Sequence, residues 1–107
     1  MRGSRRVSPR PTAIACYNDE LAFGALRAAM ELGIEVPDQL SITGYDGIDL
    51  FKYAKPSLTT YRLDPVAIGK LLMDKLLEQL SSDDNLSGDI WQDGELIVGE
   101  SAGWCAS

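Results

Sequence analysis

One stretch of this sequence constrains its fold more than any other. Thr12-Ala13-Ile14-Ala15-Cys16-Tyr17 is almost continuously apolar and runs directly into Asn18, a strong helix N-cap, followed by Asp19 and Glu20, whose charges suit a first helical turn. An apolar run this short, stopped by a helix signal, predicts a strand buried on both faces. The helix is expected from about Asp19 to Leu32. Leu21, Ala25, Ala28 and Leu32 form one apolar stripe, with Ala22, Leu26, Ala29 and Met30 beside it, while Phe23 and Arg27 fall outward. Gly33 and Pro37 supply the stop. A second run, Leu40-Ser41-Ile42-Thr43-Gly44-Tyr45, completes a strand–helix–strand unit. Such a unit requires parallel strands and a right-handed crossover.

Beyond this unit the signals continue. Asp46-Gly47 reads as a turn, and residues 47–57 as a loop or short helix closed by Pro56. Leu58-Thr59-Thr60-Tyr61 is a third extended segment. Asp64-Pro65 starts a helix to about Leu80, with Ile68, Leu72, Leu76 and Leu80 recurring every fourth residue and Lys70, Asp74, Lys75 and Glu78 on the outer face. Ser81 to Gly88 is polar and reads as a mobile loop, and Leu96-Ile97-Val98 as a last strand. The 107 residues thus suit one α/β domain, or part of one.

Charge and composition exclude several functions. There is no histidine, which removes Ser-His-Asp and Cys-His catalysis and any His-ligated metal. Four of the ten basic residues are Arg2, Arg5, Arg6 and Arg10, and all sixteen acids follow them, so the body from Pro11 onward carries −10. An acidic body repels phosphate backbones and makes a poor nucleic-acid binder. Residues 1–10 are expected to be a disordered basic arm or an expression-derived leader, since Met1-Arg2-Gly3-Ser4 resembles one. No apolar run approaches the roughly 20 residues needed to span a bilayer, so no membrane association is expected. Cys16 reads as a small buried hydrophobe, and with Cys105 it forms no metal or redox spacing. The cytoplasm is the expected compartment, and neither cofactor nor metal is expected.

The chemistry concentrates at two strand ends. Asn18-Asp19 follows the first strand and Asp46 the second, and in a parallel α/β sheet ligands sit outside the carboxyl ends of the strands. An amide and a carboxylate at one crevice suit a polyhydroxylated ligand. The same residues serve equally well as a helix cap and a turn former, and both readings stay open from the sequence. Asp46 and Asp49 are also a formal carboxylate pair for hydrolysis, although no nucleophile accompanies them and no enzyme is expected. Trp91 and Trp104 are formal stacking platforms for a sugar, though packing and a tail position account for them as well.

Taken in order, the segments resemble one family. Asn18-Asp19-Glu20-Leu21-Ala22-Phe23-Gly24, then Val36-Pro37 leading to Leu40-Ser41-Ile42-Thr43-Gly44-Tyr45-Asp46, then Pro56-Ser57-Leu58-Thr59-Thr60, together are similar to the C-terminal part of a LacI/GalR transcription regulator. The resemblance spans about Pro11 to Ser101. It implies a partial Rossmann-like three-layer α/β domain with a short parallel sheet, half of a periplasmic-binding-protein-like fold. In that family pattern residues 11–61 belong to the C-terminal subdomain, 64–80 form a crossover helix, 95–99 a return strand and 102–107 a tail. The resemblance implies that Asn18 and Asp46 contact a sugar-like or nucleobase effector, and that Leu58 to Arg62 cross a hinge. It implies a homodimer or higher oligomer with Phe23, Phe51 and Ala54 toward the subunit interface, and leaves Leu72 and Leu76 of the crossover helix to be covered by another chain. Two positions depart from the usual pattern. Gly47 stands where Asp or Asn is common, and Gly99 where an arginine is common in Leu-x-x-Arg-x-Ser. No helix-turn-helix headpiece precedes Pro11, so the chain is expected to be truncated, with DNA contact confined to such a headpiece in an intact regulator. The competing expectation is a stand-alone oligomerisation or protein-binding module that reuses the fold without a ligand.

Overall fold

The computed structural model describes residues 10–81 and 89–105. The expected loop over 81–88 and the arm over 1–10 therefore fall almost wholly outside the described residues, as does the end of the tail. The element order is β1 (Ala13–Ala15), α1 (Asp19–Glu31), β2 (Ser41–Thr43), a 3₁₀ helix (Asp49–Tyr53), β3 (Thr60–Arg62), α2 (Pro65–Ser81) and β4 (Glu95–Ile97). Two compact units result, one from residues up to Arg62 together with those from Leu96 on, the other from Leu63–Glu95.

The first unit is the predicted mixed α/β arrangement with a short parallel sheet. β1 pairs with β2 in parallel, Ala13 opposite Ser41, Ile14 opposite Ile42 and Ala15 opposite Thr43. β2 is central. On its other edge the N–H of Ile42 donates to the Ser101 carbonyl (2.8 Å), Gly44 to Thr59 (2.9 Å) and Asp46 to Tyr61 (3.0 Å). Parallel bridges join Thr43 to Thr59 and Asp46 to Arg62, and β3 pairs with β4. The strands are shorter than the apolar runs suggest, because regular pairing stops where the chain turns toward α1 and the 3₁₀ helix.

α1 forms where its caps dictate. The Asn18 side chain accepts from the Leu21 N–H at 2.9 Å. At the far end Gly33 takes a positive φ of 72°, and the N–H groups of Gly33 and Ile34 return to the carbonyls of Met30 and Ala29, a Schellman closure. The buried face corrects the expected stripe. Asp19, Ala22, Leu26 and Ala29 are buried, while Leu21, Met30 and Leu32 are exposed. Small side chains at 22 and 29 let the helix lie close to Ile42, Leu40 and Leu58, which complete the core. Ile14, Cys16 and Phe51 pack on it from the side, so Cys16 is half-buried where full burial was expected.

β1 also departs from expectation, since Ala13 and Ala15 are exposed and only Ile14 turns inward. Alternate residues of a strand face opposite sides of the sheet. The Ile14 and Ile42 side meets α1, and within this unit no described helix covers the Ala13 and Ala15 side.

In the second unit α2 begins as predicted. Asp64 accepts from the N–H groups of Val66 and Ala67, both at 3.1 Å, with Pro65 as the first helical residue. None of its seventeen residues is buried, and Leu72, Leu76 and Leu80 are exposed. No helix among the described residues is long and apolar enough to cross a membrane.

Candidate functional site

The carboxyl ends of β1 and β2 bring Asn18 and Asp46 to either side of one backbone hydrogen bond. The Asp19 N–H donates to the Tyr45 carbonyl at 2.9 Å, so the residue after Asn18 is tied to the residue before Asp46. Asn18 Oδ1 is committed to the helix cap, which leaves its Nδ2 group as the donor a ligand would use. Asp46 is exposed, and its φ of 111° lies in a region that non-glycine residues rarely adopt. Strained conformations of this kind persist where the surroundings over-determine them. Here the constraint comes from its own N–H, bonded to Tyr61, and from Gly47 behind it.

Gly47 has φ 72°, and a Cβ there would lie 2.4 Å from Arg62 Cβ and 2.6 Å from Arg62 Cα. The position therefore admits only glycine while β3 runs this close. A Cβ at Gly99 would likewise lie 2.6 Å from the Ser57 carbonyl oxygen.

Asp19 carries its charge in the first turn of α1 as expected, and it is also wholly buried beneath the site, which the sequence did not reveal. Its Oδ1 accepts from Thr60 Oγ1 and its Oδ2 from the Ile48 N–H, both at 2.6 Å. One carboxylate thus joins the start of α1, the loop that follows Asp46, and β3. Gly44 leaves room for it, because a Cβ there would fall 2.3 Å from Asp19 Oδ1. Nothing local to Asp19 in the sequence reveals these partners, since Gly44 and Thr60 are distant along the chain.

Ser101, another buried polar residue, likewise ties separate segments together. Its hydroxyl donates to the Ile42 carbonyl and accepts from the Thr59 N–H. Next to it, Glu100 Oε1 accepts from the Ser57 N–H and hydroxyl at 3.1 and 3.2 Å. Those bonds, helped by the charge of Lys55, hold the Glu100 carboxyl below its ordinary pKa. Burial pushes the Cys16 thiol pKa up.

The remaining expected residues divide between the units. Phe23 of α1 and Phe51 of the 3₁₀ helix stack, with ring centroids 5.2 Å apart, and Ala54 is half-buried just beyond. Phe23 is therefore partly covered by Phe51 rather than simply outward. Leu72 and Leu76 belong to the second unit. Tyr45 and Tyr61 also stack, at 5.9 Å. Asp49 is engaged by Arg62 at 3.4 Å, a pairing that does not suit a free general base. A hollow walled by Ile48, Phe51, Leu58, Arg62 and Ile97 lies behind Gly47, and neither Asn18 nor Asp46 lines it. No cluster that could hold a metal ion occurs among the described residues.

The periplasmic binding protein-like domain family matches residues 1–102. The HTH-type transcriptional repressor CytR of Escherichia coli is 42% identical over 88 residues, which cover 82% of this chain and 26% of the relative. A LacI family transcriptional regulator from Enterococcus faecium, solved with bound ribose, shares 32% identity at a TM-score of 0.70, over 85% of this chain and 34% of that one. The lac repressor dimer, solved bound to operator and the anti-inducer ONPF, gives 34% identity and a TM-score of 0.76, over 86% of this chain and 32% of that one. This chain spans about a quarter of the curated relative and about a third of each solved structure.

Proposed function

The chain belongs to the periplasmic binding protein-like domain family, alongside LacI-family transcription regulators, and from that premise we propose that it forms the C-terminal face of an effector cleft in such a regulator. The observation that carries this reading is the placement of Asn18 and Asp46 after adjacent parallel strands, flanking the Asp19–Tyr45 hydrogen bond. The Asp46 carboxylate accepts from ligand hydroxyls, and Asn18 Nδ2 donates to a ligand oxygen. A sugar-like or nucleobase effector offers both partners. The ribose in the Enterococcus faecium regulator supports the sugar class.

Within a complete regulator, effector contact at Asp46 reaches β3 directly through the Asp46–Tyr61 hydrogen bond. β3 is then the path by which ligand occupancy alters the hinge and operator affinity. Phe23, Phe51 and Ala54 form a self-association surface, and in the second unit Leu72 and Leu76 are covered by another chain in the assembled protein. DNA contact belongs to a separate headpiece. A stand-alone oligomerisation module is the second reading, favoured by one observation: α2 has no buried residue.

Calorimetric titration separates the two readings. One face of a cleft buries little of a small ligand, so ribose or a purine base binds this chain at millimolar strength, about −4 kcal/mol. Asn18→Ala and Asp46→Ala each abolish the signal. Micromolar binding that survives Asp46→Ala refutes the site, and concentration-dependent assembly with no ligand binding selects the second reading.

A further inference from the structure

Asp46 and Gly47 are consecutive residues of positive φ, 111° and 72°, and the chain on either side of them is bonded to one residue of α1. On the near side the Asp19 N–H donates to the Tyr45 carbonyl at 2.9 Å. On the far side Asp19 Oδ2 accepts from the Ile48 N–H at 2.6 Å. Asp19 therefore grips the chain immediately before and immediately after the pair. The grip is itself anchored. Asp19 Oδ1 accepts from Thr60 Oγ1, which fixes the rotation of the carboxylate and leaves Oδ2 aimed at Ile48. Gly44 supplies the space, since a Cβ there would collide with Oδ1.

We infer that Asp19 is a positioning residue for effector recognition, which holds the Asp46 carboxylate in a fixed relation to Asn18; the inference rests on the effector-cleft reading of those two residues. Three features carry it. First, Asn18 directly precedes Asp19 in the chain. One stretch of backbone thus locates the ligand donor and, through the two bonds to Tyr45 and Ile48, the ligand acceptor as well.

Second, a positive φ at a non-glycine residue persists only where the surroundings over-determine it. Asp19 supplies two of the constraints on Asp46, beside the Asp46–Tyr61 hydrogen bond. Third, a buried carboxylate is costly to maintain, and an acid facing water would serve the first turn of α1 equally well. What burial adds here is a charged acceptor held at a fixed angle to the Ile48 N–H. A role in stability alone is met by any side chain that fills the space. A positioning role requires the Asp46 backbone and the ligand affinity to respond out of proportion to stability, because a pre-ordered site spends less of its binding energy on ordering.

The test compares the full parent chain with Asp19→Ala, Asp19→Asn and Leu40→Val by NMR. Leu40 belongs to the core and takes no part in the Asp19 network, so its variant controls for general destabilisation. Two quantities are read: the HN–Hα scalar coupling of Asp46 without ligand, and the dissociation constant for ribose from a titration. The coupling is small at φ 111° and large in extended backbone. In Asp19→Ala we expect the coupling to rise and ribose affinity to weaken at least about tenfold. Asp19→Asn, which can accept from Ile48 and donate to Thr60, keeps the coupling and most of the affinity, and Leu40→Val changes neither. If Asp19→Ala does not fold, Thr60→Val, which frees the carboxylate to rotate, is read in its place with the same direction expected. An Asp46 coupling unchanged in the folded variant overturns the inference, as do equal losses of affinity in the Asp19 and Leu40 variants. A parent chain that binds ribose while folded Asp19→Ala binds it equally well overturns the inference alone. A parent chain that gives no ribose shifts refutes the effector-cleft reading and takes the inference with it.

Discussion

Replacing Asp19 dismantles the support beneath the candidate site, and the structure gives the size of the effect. Its carboxylate makes two buried hydrogen bonds, to Thr60 Oγ1 and to the Ile48 N–H, each 2.6 Å long. Hydrogen bonds to a charged group contribute about 1.5–3 kcal/mol each. Asp19→Ala leaves both donors without their acceptor inside the unit and costs about 3–5 kcal/mol. Asp19→Asn is the informative contrast. Its carbonyl can accept from Ile48, whose N–H has no freedom to turn, and its amide can donate to Thr60 Oγ1, which then accepts. Both contacts survive as neutral bonds of about half the strength, so the cost falls to about 1–2 kcal/mol. Thr60→Val removes one bond and costs about 1.5–3 kcal/mol. The Asp19→Ala and Thr60→Val effects are less than additive, since they share that bond. Urea titration at constant m-value gives the stabilities, and amide exchange at Ile48 reports the local loosening next to Gly47 and Asp46. An Asp19→Ala cost under about 1 kcal/mol, or Asn and Ala variants of equal stability, refutes the role assigned to this carboxylate.

Further consequences are equally specific. Asp46→Gly relieves the positive-φ strain and raises stability by about 1 kcal/mol while removing the ligand carboxylate, so thermal melting and ligand titration should move in opposite directions. Gly47→Ala forces a Cβ into the Arg62 backbone and destabilises by about 1–3 kcal/mol, read by urea titration. The Glu100 carboxyl has a lowered pKa in the folded chain, so its contribution is present above the ordinary glutamate range and is lost as pH falls through the depressed value; exchange of the Ser57 amide should speed up under acid and do so much less in Glu100→Gln. Half-burial and a raised pKa give Cys16 little thiolate, so thiol reagents label it slowly in the native chain and faster in urea.

Local chemistry made the helices legible. Asn18 and Gly33 bound α1, Asp64 and Pro65 start α2, and neither assignment depends on tertiary contacts. The parallel pairing of β1 and β2 followed from chain connectivity. The face that α1 buries did not, because two apolar stripes competed and only the sheet decides between them. The close approach allowed by Ala22 and Ala29 outweighed the greater hydrophobicity of Leu21 and Met30. Ala13 and Ala15 carry an apolar signal but lie on the side of β1 away from α1 and are exposed. Asn18 and Asp46 could be placed from their positions at strand ends. Asp19 and Ser101 could not, since their partners Thr60 and Thr59 are more than forty residues distant along the chain. Nothing local to Gly47 or Gly99 shows how closely Arg62 and Ser57 approach them.

The most direct test of the account is a ribose titration of the isotopically labelled chain followed by two-dimensional NMR. The account predicts weak, saturable shifts confined to Asn18, Tyr45, Asp46 and Gly47, with smaller changes at Tyr61 and Arg62 and none along α2, all lost in Asp46→Ala. Shifts centred on the hollow beside Ile97 or on α2, or shifts that persist in Asp46→Ala, would contradict it.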